Sequence, residues 1–130
     1  MRASIVIGNP NAGGRTTRVA QMLTENLVGA LNWSQNDGED IATIELANYA
    51  KRLFEWEDQE LSELNEKVAS SDVVIVASPV YKASYTGLLK AFLDRYQTNG
   101  LLGTVSIPIM VGASPAHTLS IDSHLRPLLV

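Results

Sequence analysis

A doubly wound α/β domain, a parallel sheet with helices on both faces, is the fold this sequence predicts. Three observations predict it. Segments of strand and helix character alternate in the order βαβ(α)βαβα, which implies right-handed crossovers. The run Val73-Val74-Ile75-Val76-Ala77 is unbroken and apolar, the habit of a strand buried on both faces. Three of the strands end in loops of small residues, and in such sheets ligands bind beyond the carboxyl ends of the strands.

Each element can be placed in turn. Ser4 to Ile7 is a short apolar strand, followed by a loop from Gly8 to Gly14. A helix is predicted over Thr16 to Ala30, where Val19, Met22, Leu23, Leu27 and Ala30 fall on one face. The polar stretch Asn32 to Asp40 reads as a turn region, and Ile41 to Leu46 alternates as a second strand. Ala47 to Glu57 has apolar anchors in Tyr49, Leu53, Phe54 and Trp56 but no clean period. Asp58 to Ala69 reads as a helix with Leu61, Leu64 and Val68 inward and Glu60, Glu63, Glu66 and Lys67 outward. Strand three is Val73 to Ala77, and the next helix spans Thr86 to Tyr96. Gln97 to Gly103 is a turn region, Val105 to Val111 is strand four, and a last helix starts near Ala116. No repeat or low-complexity segment interrupts this order, so residues 1–130 read as a single domain.

Composition narrows the function classes. A chain of 130 residues is long enough for one core, and 45% hydrophobic content is ordinary for a globular protein. A net charge of -4 without a basic cluster argues against nucleic acid or an anionic membrane as partner. The absence of cysteine excludes thiol redox chemistry, disulfides and cysteine metal sites. Met1 and Arg2 lead straight into a strand too short for a signal-peptide core, and no run approaches membrane-spanning length. These features point to a cytoplasmic protein.

The three loops are Gly8-Asn9-Pro10-Asn11-Ala12-Gly13-Gly14-Arg15-Thr16-Thr17, then Ser78-Pro79-Val80-Tyr81-Lys82-Ala83-Ser84, then Gly112-Ala113-Ser114-Pro115-Ala116-His117. The topology puts all three on one edge of the sheet. The first suits a phosphate. Gly13 and Gly14 let amides turn toward an anion, Thr16 and Thr17 offer hydroxyls at a helix start, and Arg15 adds a cation. It equally fits an ordinary capped strand-to-helix turn. It lacks the lysine of a Walker A loop and the spacing of Gly-x-Gly-x-x-Gly. The second and third loops are poor in ionisable groups. Such loops offer backbone amides and carbonyls to a flat, polar-edged ring rather than acid–base catalysis. Tyr81 can cover a ring or pack on the sheet edge; Lys82 can meet a phosphate or stay solvated.

Other constellations are weaker. Ser114, His117 and Asp122 have the residue types of a hydrolytic triad, but Gly-Ala-Ser-Pro-Ala lacks the second glycine of a nucleophile elbow. His117 and His124 lie about two helical turns apart, too far for a simple two-histidine metal pair. No general acid, general base or metal ligand is assigned.

The run from Ser78-Pro79-Val80-Tyr81 through Gly87-Leu88-Leu89-Lys90-Ala91-Phe92-Leu93-Asp94 resembles the signature of NADPH-dependent FMN reductases, especially the alkanesulfonate-utilisation type. Gly112 to His117 and Asp122 to Pro127 resemble that family's next block, and Gly8-Asn9-Pro10 through Arg15-Thr16 resembles its phosphate loop. The resemblance covers nearly the whole chain. It implies a flavodoxin-like, three-layer fold with strand order 2-1-3-4-5 and FMN at the strand ends. Motif by motif, it implies Asn9, Asn11, Arg15, Thr16 and Thr17 around the FMN phosphate. It implies Pro79, Val80, Tyr81, Lys82, Ala83 and Ser84 along the flavin, with Gly112, Ala113 and Ser114 closing the ring's other edge. NADPH would stack over the flavin and pass hydride to its N5, chemistry carried by the cofactors. Reduced FMN would then leave for a partner flavin-dependent monooxygenase. A quinone or azo reductase with fixed FMN and a flavodoxin-type electron carrier are the alternatives within the same fold. The resemblance also implies a homo-oligomer, dimer or tetramer.

The chain departs from the family pattern in three places. Gly13 and Gly14 stand where members often have serine near the arginine, which removes a hydroxyl ligand. Some flavin-releasing members carry an aromatic residue inserted in the helix after the third loop, where this chain has about Ser123, beside His124. The chain stops at Val130, ahead of the family's fifth strand and final helix, so a C-terminal truncation is expected.

Overall fold

Five consecutive apolar or small residues, Ala3–Ile7, form β1, and every one of them is buried. That is the position of an inner strand. The computed structural model describes residues 1–31 and 41–130, and the turn expected over 32–40, with Trp33, lies outside the described residues. The remaining elements are α1 (Arg15–Ala30), β2 (Ile41–Glu45), α2 (Gln59–Ala69), β3 (Val73–Pro79), α3 (Gly87–Leu93), β4 (Val105–Val111) and α4 (Arg126–Leu128). The four strands form one parallel sheet in the order β2-β1-β3-β4. This is the first part of the expected 2-1-3-4-5 order, and the fold is flavodoxin-like. Among the described residues, β4 pairs only with β3, and such an edge position tolerates Pro108 in mid-strand.

The strand pattern sorts the core onto two faces. Val6, Ile44, Val74 and Val76 join Leu61 and Val68 of α2 and Leu89, Ala91 and Phe92 of α3. Ile5, Ile7, Ile75 and Ala77 face the other way, toward Ala20 and Leu27 of α1. Register keeps the faces separate: Ile5 lies opposite Ile75 and Ile75 opposite Ile107.

α2 forms as expected, with Asp58 capping it by accepting the Leu61 amide at 2.9 Å. That amide bond, the largest influence, holds the Asp58 carboxyl below its ordinary range. α1 keeps Leu27 of the expected face against the sheet, but its buried stripe is rotated from the one its apolar residues suggest. Thr16, Thr17, Ala20 and Thr24 face inward, while Val19 and Met22 are exposed. The buried threonines keep their hydroxyls paired; that of Thr24 donates to the Ala20 carbonyl at 2.8 Å. α3 ends at Leu93, three residues short of the expected Tyr96. The region after the third loop is not one regular helix. A 3₁₀ turn over Pro115–His117 is followed by a π turn over Ile121–Leu125 that runs into α4. Pro127 falls in the first turn of α4, where its missing amide is tolerated.

Tyr96 records how well this core is sealed. Its ring meets Phe92 edge-on, centroids 5.9 Å apart, and its hydroxyl donates to the Asn65 carbonyl at 3.2 Å. Burial pushes its phenol up to about 12. An unfolded chain returns it to about 10. The folded state therefore holds this proton more tightly, and the stability so gained is complete below the unfolded value. It should be lost as pH rises from about 10 to about 12, by about 2–3 kcal/mol. Urea unfolding across that range checks this, with Tyr96→Phe expected to show a correspondingly flatter pH dependence.

Candidate functional site

The carboxyl ends of β1, β3 and β4 carry the three loops, and the parallel sheet puts them on one edge. The first loop leaves β1 under tight packing. The Gly8 amide donates to the Ala77 carbonyl at 2.7 Å, and a Cβ on Gly8 would lie 2.7 Å from the Leu89 Cβ. Asn9 is buried and organises the turn. Its Oδ1 accepts the Asn11 amide at 3.0 Å, and its Nδ2 donates to the Thr16 hydroxyl at 3.4 Å. Gly13 then takes φ +67°. Gly14 begins α1 in extended conformation with no side-chain cap, and the helix has no acidic residue in its first turn. The amides of that turn are thus left for an external acceptor. A Cβ at Gly14 would meet the Asn9 Nδ2 at 2.9 Å and the Asn11 carbonyl at 3.2 Å, so the cradle needs glycine there.

A carboxylate also reaches this loop. Glu45, last residue of β2, accepts the Gly13 amide at 3.1 Å and the Thr17 hydroxyl at 2.7 Å through Oε1. Its Oε2 is buried with no hydrogen-bond partner.

The second loop contains a strained turn. Tyr81 and Ser84 exchange backbone bonds of 2.8 and 3.0 Å, with Lys82 at φ 49° and Ala83 at φ 62° between them. Two consecutive left-handed residues make this a type I′ turn, which glycine and asparagine usually occupy. Neither is present here, so the turn costs on the order of 1–3 kcal/mol per residue and persists because its surroundings fix it. Ser78 is one of those fixtures: its hydroxyl donates to the Pro79 carbonyl at 2.9 Å and accepts the Thr86 amide at 3.0 Å. Thr86 is another. Its hydroxyl caps α3 by accepting the Leu89 amide at 3.1 Å and donates to the Gly8 carbonyl at 2.6 Å.

The third loop closes on the second. The Val80 amide donates to the Val111 carbonyl at 3.0 Å, and a cavity of about 420 Å³ is lined by Val80, Met110, Gly112, Ala113, Ser114 and Ile121 among others. Ser114 caps the following 3₁₀ turn by accepting the Ala116 amide at 3.2 Å. A cavity of about 380 Å³ at the opposite end of β4 is lined by no charged side chain.

The residues expected from the sequence thus fall into two groups. Asn9, Asn11, Arg15, Thr16 and Thr17 cluster at the first loop, with Asn9, Thr16 and Thr17 buried and Asn11 and Arg15 exposed. Val80, Gly112, Ala113 and Ser114 line the cavity, which the first-loop residues do not reach. Pro79, Ala83 and Ser84 are partly buried and Tyr81 and Lys82 exposed, and none of the five lines the cavity. Sequence reasoning missed Ser78, Thr86 and Glu45 as organising residues. Thr86 carried a signal, a threonine immediately before an apolar helical run. Glu45 carried none beyond its place at a strand end.

The donor set fits a phosphate-bearing flavin. An uncapped helix start and a glycine cradle offer what a phosphate requires, and two loops poor in ionisable groups suit a neutral ring edge. Among the described residues, no group of three metal-binding side chains occurs, and no helix is long and apolar enough to cross a membrane.

Known proteins resemble the chain in sequence and in fold. The chain is 32% identical over 133 residues to an FMN reductase (NADPH) of Escherichia coli (strain K12), covering 99% of this chain and 65% of that protein. It is 34% identical over 131 residues to the NADH-dependent FMN reductase SfnF of Pseudomonas putida, covering 98% and 69%. An NADH:FMN oxidoreductase, EMOB, solved in its apo form superposes with a TM-score of 0.86 at 32% identity, covering 98% of this chain and 67% of that one. The chain spans between about half and two-thirds of the length of the first curated relatives it matches. The model of the NADPH-dependent FMN reductase family matches residues 1–130, from β1 to the last helical turn, and the chain belongs to that family.

Proposed function

We propose that this chain binds FMN at the carboxyl edge of its sheet and catalyses its reduction by a nicotinamide nucleotide. The observation that carries the reading is the coupling of the three loops. The Thr86 hydroxyl ties the first to the helix start that follows the second at 2.6 Å, and the Val80 amide ties the second to the end of β4, where the third begins, at 3.0 Å. When bound, FMN would supply the redox chemistry, accepting hydride at N5 from the nicotinamide. The chain's own residues bind and orient. The Thr16 hydroxyl and the first α1 amides would hold the phosphate, with Arg15 adding a cation from the exposed side. The Tyr81–Ser84 turn and the loop from Gly112 to Ser114 would present main-chain groups to the ring edge. The scarcity of ionisable groups in those two loops favours ring alignment over proton transfer. Relatives named for NADPH and for NADH leave both nucleotides as substrates to be compared.

We further propose that reduced FMN leaves for a flavin-dependent monooxygenase and that the chain works as a homo-oligomer. Membership of the family supports both readings. The test is oxidation of NADPH or NADH with and without added FMN. Activity that depends on FMN and rises with its concentration is expected; no FMN-dependent rate with either nucleotide removes the reading. In the same preparation, Arg15→Ala should weaken FMN binding by about 1–3 kcal/mol, the range for hydrogen bonds to charged groups, and leave riboflavin binding unchanged. Flavin fluorescence quenching measures both.

A further inference from the structure

Glu45 stands in an unusual place for an acidic side chain. It lies at the end of β2 and reaches across to the start of α1, where the chain is expected to hold a phosphate. One oxygen takes two of the loop's donors, the Gly13 amide at 3.1 Å and the Thr17 hydroxyl at 2.7 Å. A threonine hydroxyl has one proton, so Thr17 spends it on Glu45 and has none for a phosphate oxygen. The other oxygen is buried and unpartnered, a cost that the loop sustains to keep the carboxylate there.

We propose that Glu45 sets the affinity of the first loop for phosphorylated flavin and lowers it, which makes the flavin exchangeable. This rests on the flavin reading above. Two effects compete. Accepting from Gly13 and Thr17 pre-forms the loop, which favours ligand. The negative charge beside the helix start offsets the attraction of the helix dipole and repels a phosphate dianion, which disfavours it. Glu45→Gln separates them, because a glutamine carbonyl still accepts from both donors while the charge is gone.

The experiment is flavin fluorescence titration of wild type and Glu45→Gln with FMN and with riboflavin, which shares the ring but lacks the phosphate. For Glu45→Gln, FMN should bind about five- to tenfold tighter, as expected for removing one nearby like charge at a solvent-accessible site. The gain should shrink as salt is raised. Riboflavin affinity should stay within about twofold, which also shows that the variant folds. FMN binding that is unchanged or weaker while riboflavin holds overturns the proposal. So does an equal change for both ligands, since the charge would then not act on the phosphate. Wild-type protein that binds neither flavin overturns the flavin reading itself, and this inference with it.

Discussion

Phe92→Ala should destabilise the fold by about 3–5 kcal/mol, the range for deleting a buried aromatic ring. The ring is fully buried in the larger core cluster with Val6, Val74, Val76 and Leu89, and it meets Tyr96 edge-on at 5.9 Å. Its neighbours come from β1, β3 and α3, three elements that cannot all move inward without breaking sheet register. The cavity should therefore remain open, placing the loss toward the upper part of that range. A domain of this size has only about 5–15 kcal/mol in total. Urea unfolding with an unchanged m-value checks the expectation; a loss below about 1 kcal/mol would mean that α3 collapses freely onto the sheet. Because α3 begins at the second loop, the same variant should loosen flavin binding before the domain unfolds.

The sheet was legible in the sequence because burial writes itself into composition. A strand covered on both faces is largely apolar, so Ser4 to Ile7 and Val73 to Ala77 could be read directly; β1 begins one residue earlier and β3 runs on to Pro79. Strand order came with the alternation of elements and the family resemblance. The inner stripe of α1 was legible only in part. Apolar periodicity pointed at Val19 and Met22, yet the buried residues are Thr16, Thr17, Ala20 and Thr24. The three threonine hydroxyls are each paired, on Asn9, Glu45 and the Ala20 carbonyl, and an apolar pattern does not register a threonine buried that way. Of the candidate site, the loops were legible because strand ends rich in small residues are local features. The residues that fasten them are not local. Thr86 meets Gly8 and Glu45 meets Gly13 only through tertiary structure. The left-handed pair Lys82 and Ala83 was also hidden, since neither residue type announces a type I′ turn.

Thr86→Val should cost about 2–4 kcal/mol, although it keeps size and β-branching. Thr86 is buried, and its single hydroxyl makes two bonds. It accepts the Leu89 amide and so caps α3, a contribution of about 0.5–2 kcal/mol. It donates to the Gly8 carbonyl at 2.6 Å; a methyl group there leaves that acceptor unpaired at about 1–3 kcal/mol. Thr86→Ser keeps the hydroxyl and should lose less than about 1 kcal/mol, so the pair separates hydrogen bonding from packing. The functional consequence follows from where the two bonds lead. One end of the link is the first loop, and the other is the start of the helix beneath the second. Cutting it should weaken FMN binding even where most of the protein remains folded, because phosphate and ring would no longer be held by loops of fixed separation. Urea unfolding together with flavin titration under native conditions checks both parts. Equal stability of the Thr86→Val and Thr86→Ser variants would show that neither bond contributes, and intact FMN affinity in the valine variant would show that the loops are positioned by packing alone.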